Sequence, residues 1–321
     1  MTRKSKLQIS RIVLNWAILA FALALLWSVA LNALYLTGVA AAMSLVVPAL
    51  LGGVLACWIY FVRQHQALEY DDEGYAVLKG KASPETHKWL EFKECSLVVG
   101  PRGGIAVRLY VERDGSHFEI DSSGTGADPY ELRDFILGRI GEHTHNHLSP
   151  DVDEVIGGLE REIHRGRAHW VADLNETFKS CQISGETFPL VARGSTRPKG
   201  FLLSRFFAMT IMPDYRVAMY AHEISDAEKA RSRLTRLVRI IETAADQKDI
   251  KWSWLLVFSH KEVPRAVGAF IEQFRNENIG IASIEANTGA MTASPNRLGS
   301  SLARQMRMHR LIRDLSRKRL A

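Results

Sequence analysis

Three histidines at alternate positions, His143, His145 and His147 in "GEHTHNHLSPD", are by type the side chains of this 321-residue chain readiest for chemistry. Neutral imidazole is the commonest metal ligand. In an extended segment alternate side chains point the same way, so three nitrogens could converge on zinc, with Glu142 and Asp151 nearby. The setting points elsewhere. The run separates the end of one helical pattern from "SPDVDEVIGGLEREI", where Ser149 can cap a helix and Pro150 can take its first position. His143, His145 and His147 are thus the metal-ligand candidates, but the stretch reads as a solvated polar linker. No metal and no cofactor is expected.

Charge is the second chemical resource. The chain carries +6, yet Arg3, Lys4, Lys6 and Arg11 crowd the first eleven positions, and residues 297–321 hold eight basic side chains against Asp314. The middle of the chain is therefore net acidic. A basic balance confined to the two ends argues for local contacts with something anionic, not for a generally basic protein. "RLGSSLARQMRMHRLIRDLSRKRLA" reads as a helix after Gly299, with Ser300 or Ser301 as cap. Leu302, Met306, Ile312 and Leu315 fall near one face; Arg304, Arg307, Arg310, Arg313, Arg317, Lys318 and Arg319 occupy much of the rest. Such a helix suits anionic lipid head groups. Nucleic-acid phosphates are the second partner class, and a solvated helix packing its Leu/Met stripe on the body is the third reading.

The stretch "MPDYRVAMYAHEIS", residues 212–225, places Pro213-Asp214 before an apolar strand that ends at Glu223. It resembles the opening of the PD-(D/E)xK nuclease core. Beyond it, "WLLVFS…VPRAVGAFIEQFRNENIGIASIEANTG" resembles the later strand–helix–strand unit of the restriction-endonuclease-like fold, over about 200–290. The resemblance implies Asp214 and Glu223 as Mg²⁺ ligands, since that ion takes oxygen ligands and clamps phosphate oxygens. It also requires a lysine two residues after the second acid, and Ser225 stands there. Lys229 is the nearest substitute. Pro-Asp is moreover a common turn dipeptide. Asp214 and Glu223 are the candidate catalytic residues of a domain read as catalytically incomplete.

The elements around these residues fall into a sequence of blocks. No Asp, Glu, Lys, Arg or His occurs from Ile12 to Val62, a run long enough for two membrane spans of about 20 residues. They are placed near 12–34 and 40–62, and flanking basic residues orient both termini toward the cytoplasm. Short β-like runs divided by "DDEG", "PRGG", "RDG" and "GTGADP" follow, then a helix from Pro129 capped by Asp128. Two spans, a small sheet and a closing helix resemble the bacterial PH-like (YcxB-like) membrane proteins over 12–140, on "WLEFKECSLVV" and "GSHFEIDSS…DPYELRDFIL". That resemblance implies binding rather than chemistry, with Trp89 as a core residue. After the linker, Val152, Val155, Ile156, Leu159 and Ile163 form one helical stripe. From Trp170 the order reads strand, strand, helix, strand, helix, strand, starting with "GFLLSRFFAMTIM".

The resulting expectation is an α+β membrane protein: a basic N-terminus with a transmembrane helical hairpin (1–64), a small PH-like β domain with closing helix (65–141), a linker and amphipathic helix (142–169), an α/β domain (170–296) and a basic terminal helix (297–321). Its expected place is the cell inner membrane, multi-pass, with both termini cytoplasmic. Its expected function is non-enzymatic: an adaptor whose cytoplasmic domains bind a protein partner. The alternative is a membrane-tethered Mg²⁺-dependent nuclease.

Overall fold

The computed structural model describes residues 3–4, 66–79, 85–100, 104–112, 115–140, 148–166, 172–196, 214–224 and 229–305. They form two compact units, the first from Met1–Glu94 and Ile105–Ile140, the second from Cys95–Gly104 and Gly141–Ala321.

In the first unit β1 (Arg3–Lys4), β2 (Gln66–Tyr70), β3 (Gly74–Lys79) and β4 (Glu85–Lys88) make a four-stranded antiparallel sheet in chain order. The β2–β3 turn is built as "DDEG" suggests: the Asp71 carboxylate accepts the Glu73 and Gly74 amides at 2.9 and 3.1 Å. Gly74 is required there, because a Cβ would come within 2.1 Å of the His87 carbonyl on β4. After a 3₁₀ turn at Trp89–Glu91, β6 (Ile105–Tyr110) and β7 (His117–Asp121) pair as a hairpin. Then come the short α1 (Ser122–Thr125) and α2 (Pro129–Ile140). The Asp128 carboxylate caps α2 by accepting the Tyr130 amide at 2.8 Å. Leu68, Trp89, Phe92, Leu132 and Ile136 are buried.

The second unit is a mixed sheet clad by helices. Its strands are β5 (Glu94–Val99), β8 (Asp173–Ile183), β9 (Glu186–Ser195), β10 (Arg216–Glu223), β11 (Ile250–Ser259), β12 (Ile279–Glu285) and β13 (Met291–Ala293). They lie in the order β13-β12-β11-β10-β9-β8-β5, with β10–β11 and β11–β12 parallel and the other described pairs antiparallel. The parallel pairs are joined through α4 (Ala230–Lys248) and α5 (Arg265–Gln273), the usual way to connect parallel strands. α3 (Pro150–Gly166) buries Val152, Val155, Ile156, Leu159 and Ile163, the stripe read from sequence. That stripe shares one core with Leu174, Leu190, Met219, Trp254, Leu256 and Phe258. Each such side chain contributes about 1.5–3 kcal/mol on burial. α6 (Arg297–Gln305) adds Leu298 and Leu302 to the same core. It comes so close to β12 that a Cβ on Gly280 would lie 2.5 Å from the Leu298–Gly299 backbone.

Several expectations are corrected. The fold is α+β around a large mixed sheet, not the expected α+β membrane protein. Among the described residues no helix is long and apolar enough to cross a membrane. The longest shows why: α4 has 19 residues, but Arg231, Arg233, Arg236, Arg239, Glu242, Asp246 and Lys248 line it, and each is costly in hydrocarbon. The spans placed at 12–34 and 40–62 lie outside the described residues. The multi-pass inner-membrane assignment, with both termini cytoplasmic, is corrected together with the fold class. "ECSLVV", assigned to the PH-like sheet, is β5 and pairs antiparallel with β8. β8 and β9 have no counterpart in the strand order expected from sequence. They form a hairpin turned by Ser184 and Gly185, both at positive φ, the geometry of a two-residue hairpin turn. "GFLLSRFFAMTIM" lies outside the described residues.

Candidate functional site

The candidate catalytic pair does not meet. Asp214 precedes β10 and Glu223 ends it. A strand of that length rises about 3.3 Å per residue, so the two carboxylates stand more than roughly 20 Å apart. One Mg²⁺ holds its ligands at about 2.1 Å and cannot bridge them. Lys229 caps α4 with no side-chain hydrogen bond to the helix, and Ser225 lies outside the described residues, as do His143, His145 and His147. Of the basic residues assigned to an anionic surface, Arg304 is exposed on α6; Arg307, Arg310, Arg313, Arg317, Lys318 and Arg319 lie outside the described residues. Among the described residues no group of three or more His, Cys, Asp or Glu could hold a metal ion.

Two buried polar groupings in the second unit serve the fold. Glu160 on α3 accepts from the Thr177 hydroxyl on β8 at 2.5 Å, and His164 Nε2 lies 3.2 Å from the same oxygen. Thr177 is 0% exposed, so this hydroxyl meets no substrate; it ties helix to sheet. On β10, His222 Nε2 accepts from Arg233 Nε at 3.1 Å and lies 3.6 Å from Glu186. Burial first, then the Arg233 guanidinium, push His222 down to about 4, against the opposing pull of Glu186 and the Thr187 carbonyl. The imidazole is therefore neutral near pH 7.

The first unit holds a different kind of site. A cavity of about 450 Å³ opens over β2, the β2–β3 turn, β3 and β4, within the size range of ligand pockets. Its wall is aromatic. Tyr75 on β3 and His87 on β4 are register partners, with rings 5.3 Å apart. Tyr75 stacks on Trp89 at 5.2 Å, and Phe118 backs His87 at 4.4 Å. Trp89 is itself 1% exposed, the core residue expected, and its indole N–H donates to the Asp71 carbonyl at 2.8 Å. The stack thus fixes the acidic turn against the sheet.

The rim is acidic. Glu69, Asp71, Glu73 and Glu91 line the cavity against the single base Lys88. His87 Nδ1 lies 3.5 Å from the Glu91 carboxylate and Nε2 lies 3.8 Å from that of Glu85. Burial, reinforced by Glu85 and Glu91, raises the Tyr75 phenol well above its ordinary range and keeps it neutral. By sequence alone "DDEG" reads only as a turn. The signal for more was the whole string "EYDDEGY", four acids and two tyrosines in seven residues; what no string reveals is that His87 pairs across to Tyr75. No protein-family model matches this chain, and neither a curated protein nor a solved structure matches it.

Proposed function

We propose that the protein is a non-enzymatic binding module and that the cavity of the first unit is where it binds. One observation carries this reading: a preformed pocket with a buried aromatic wall and a carboxylate rim, held by the Trp89–Asp71 bond. Binding sites combine an apolar, mostly prebuilt surface with a few polar groups that orient the ligand. The carboxylate pair that would favour nuclease chemistry is split between the two ends of one strand.

The test uses the full chain in two assays. DNA and RNA are offered with Mg²⁺ or Mn²⁺. In parallel, cationic, neutral and anionic small molecules are screened by amide-hydrogen exchange. The expected result is no cleavage, together with slowed exchange across residues 69–91 for one ligand class. Metal-dependent cleavage abolished by Asp214→Ala and by Glu223→Ala overturns the reading, and so does a screen in which nothing protects 69–91.

A further inference from the structure

The charged groups that line the cavity are mostly carboxylates, and that narrows the ligand. Four carboxylates face one ammonium. Asp71 uses its carboxylate for backbone amides, and neither it nor Glu73 has a basic partner among the described residues. Lys88 makes no ion pair among them either, so the charge of Asp71 and Glu73 is left uncompensated among the described residues.

Tyr75 is the second, independent observation. It is 5% exposed, lines the cavity, and its hydroxyl makes no hydrogen bond among the described residues. The ring is buried against Trp89 and His87, while the hydroxyl oxygen is not shut off from water. Its neutral oxygen can accept an N–H, and the half-buried His87 ring beside it offers an aromatic surface to a cation. His87 Nε2 is shielded from water and likewise has no hydrogen-bond partner.

Carboxylates, a phenol oxygen and an aromatic surface in one cavity share a single complement: a cation with several N–H donors and a flat or compact head. The same unit already holds one. Beside the cavity Arg139 lies 3.4 Å over the Phe135 ring while its Nε donates to Asp72 at 3.0 Å.

We propose that this cavity binds an organic cation, a guanidinium or primary ammonium on a short aliphatic stem, between the Tyr75/His87 wall and the carboxylates of Glu73 and Glu91. The proposal rests on the binding reading above and names its ligand class. Two sources share this chemistry: a free alkyl-guanidine or amine, and the side chain of an arginine or lysine in a partner peptide. Leu90, next to Glu91 and 88% exposed, gives a peptide an apolar residue to cover that the free cation leaves bare.

Agmatine, N-acetyl-citrulline amide as its neutral counterpart, and the peptide acetyl-Leu-Arg-Leu-amide are titrated into the full chain by calorimetry, with hydrogen exchange to place them. Saturable agmatine binding is expected, at least tenfold tighter than the citrulline compound, with protection of 69–91. Glu73→Gln/Glu91→Gln, a change at exposed rim positions, should weaken it at least tenfold and leave the melting temperature within two or three degrees. A peptide at least tenfold tighter than agmatine, with the gain lost in Leu90→Ala, identifies the peptide source; equal affinities identify the free cation. Agmatine no tighter than the citrulline compound, or unaffected by the double substitution, overturns the proposal. If an anionic or neutral probe protects 69–91 instead, the cation assignment fails and the binding module stands. If no probe protects them, both fail.

Discussion

The indole N–H of Trp254 reaches the carbonyl of Leu298, 44 residues further along the chain, at 3.2 Å, with the Ser301 hydroxyl at the same distance. α6 is therefore wired into β11 as well as packed on it. Ending the chain after Gln305 should leave the cooperative unfolding transition in place. Ending it after Asn296 removes Leu298 and Leu302 from the core, at about 2–5 kcal/mol for each large apolar side chain lost. The shorter chain should unfold without a cooperative transition or fail to accumulate. Equal stability of the two truncations would show that α6 is not part of the core.

Asn296 is the hinge of that docking. Its amide donates to the carbonyls of Asn276 and Ile279 at 2.6 Å each, and its carbonyl oxygen accepts the Gly299 amide at 2.7 Å. Asn296→Ala should cost about 2–4 kcal/mol in urea denaturation, combining a lost helix cap with two abandoned carbonyls. Ser300→Ala should cost less than about 0.5 kcal/mol. The reverse ranking would assign the cap to the serine.

His222 makes stability depend on pH. Its folded-state value of about 4 lies below the ordinary 6.5, so the unfolded chain takes up the proton first. The stabilisation is complete above about pH 6.5 and is lost as pH falls toward 4. Each unit of difference is worth about 1.4 kcal/mol, so descending from pH 7 to pH 5 should cost roughly 2 kcal/mol. The charged groups facing the ring are Glu186 and Arg233. His222→Gln should remove most of that slope in denaturation curves. An unchanged slope places the titrating group elsewhere.

Asp214 and Glu223 should behave as strangers. Residues that far apart, with no shared partner, contribute additively to within about 0.5 kcal/mol. A double-mutant cycle of Asp214→Ala and Glu223→Ala, with and without Mg²⁺, should show no coupling above that level. A coupling that emerges only with Mg²⁺ would bring the two carboxylates together after all.

Much of the local structure was legible in the sequence, because its causes are local. The cap at Asp128, the five-residue stripe of α3, the turn at Asp71 and the strands β11 and β12 follow from residue chemistry at short range. β8 and β9 were not legible because β8 does not alternate: Asp173 and Thr177 are buried beside Leu174 and Phe178, and its register shifts between Leu174 and Glu176. Thr177 is polar inside only because Glu160, on another element, accepts its hydrogen bond. The cavity was hidden for a similar reason. Tyr75 and His87 are twelve positions apart, and only strand register sets them side by side.

The path of the chain through β5 has a consequence for synthesis. β5 belongs to the second unit, yet the chain next supplies residues 105–140 of the first unit before it returns at Gly141. The Ser96 hydroxyl finds Glu176, its partner on β8, across 80 residues of sequence. At a translation rate of about 5–20 residues per second, β8 leaves the ribosome some 4–16 seconds after β5. Throughout that interval the edge of "ECSLVV" that will meet β8 stands open, an apolar strand without its neighbour. No single cut yields both units whole, so a nascent chain cannot finish one before it has begun the other, and this edge is where a co-translational chaperone would be needed first.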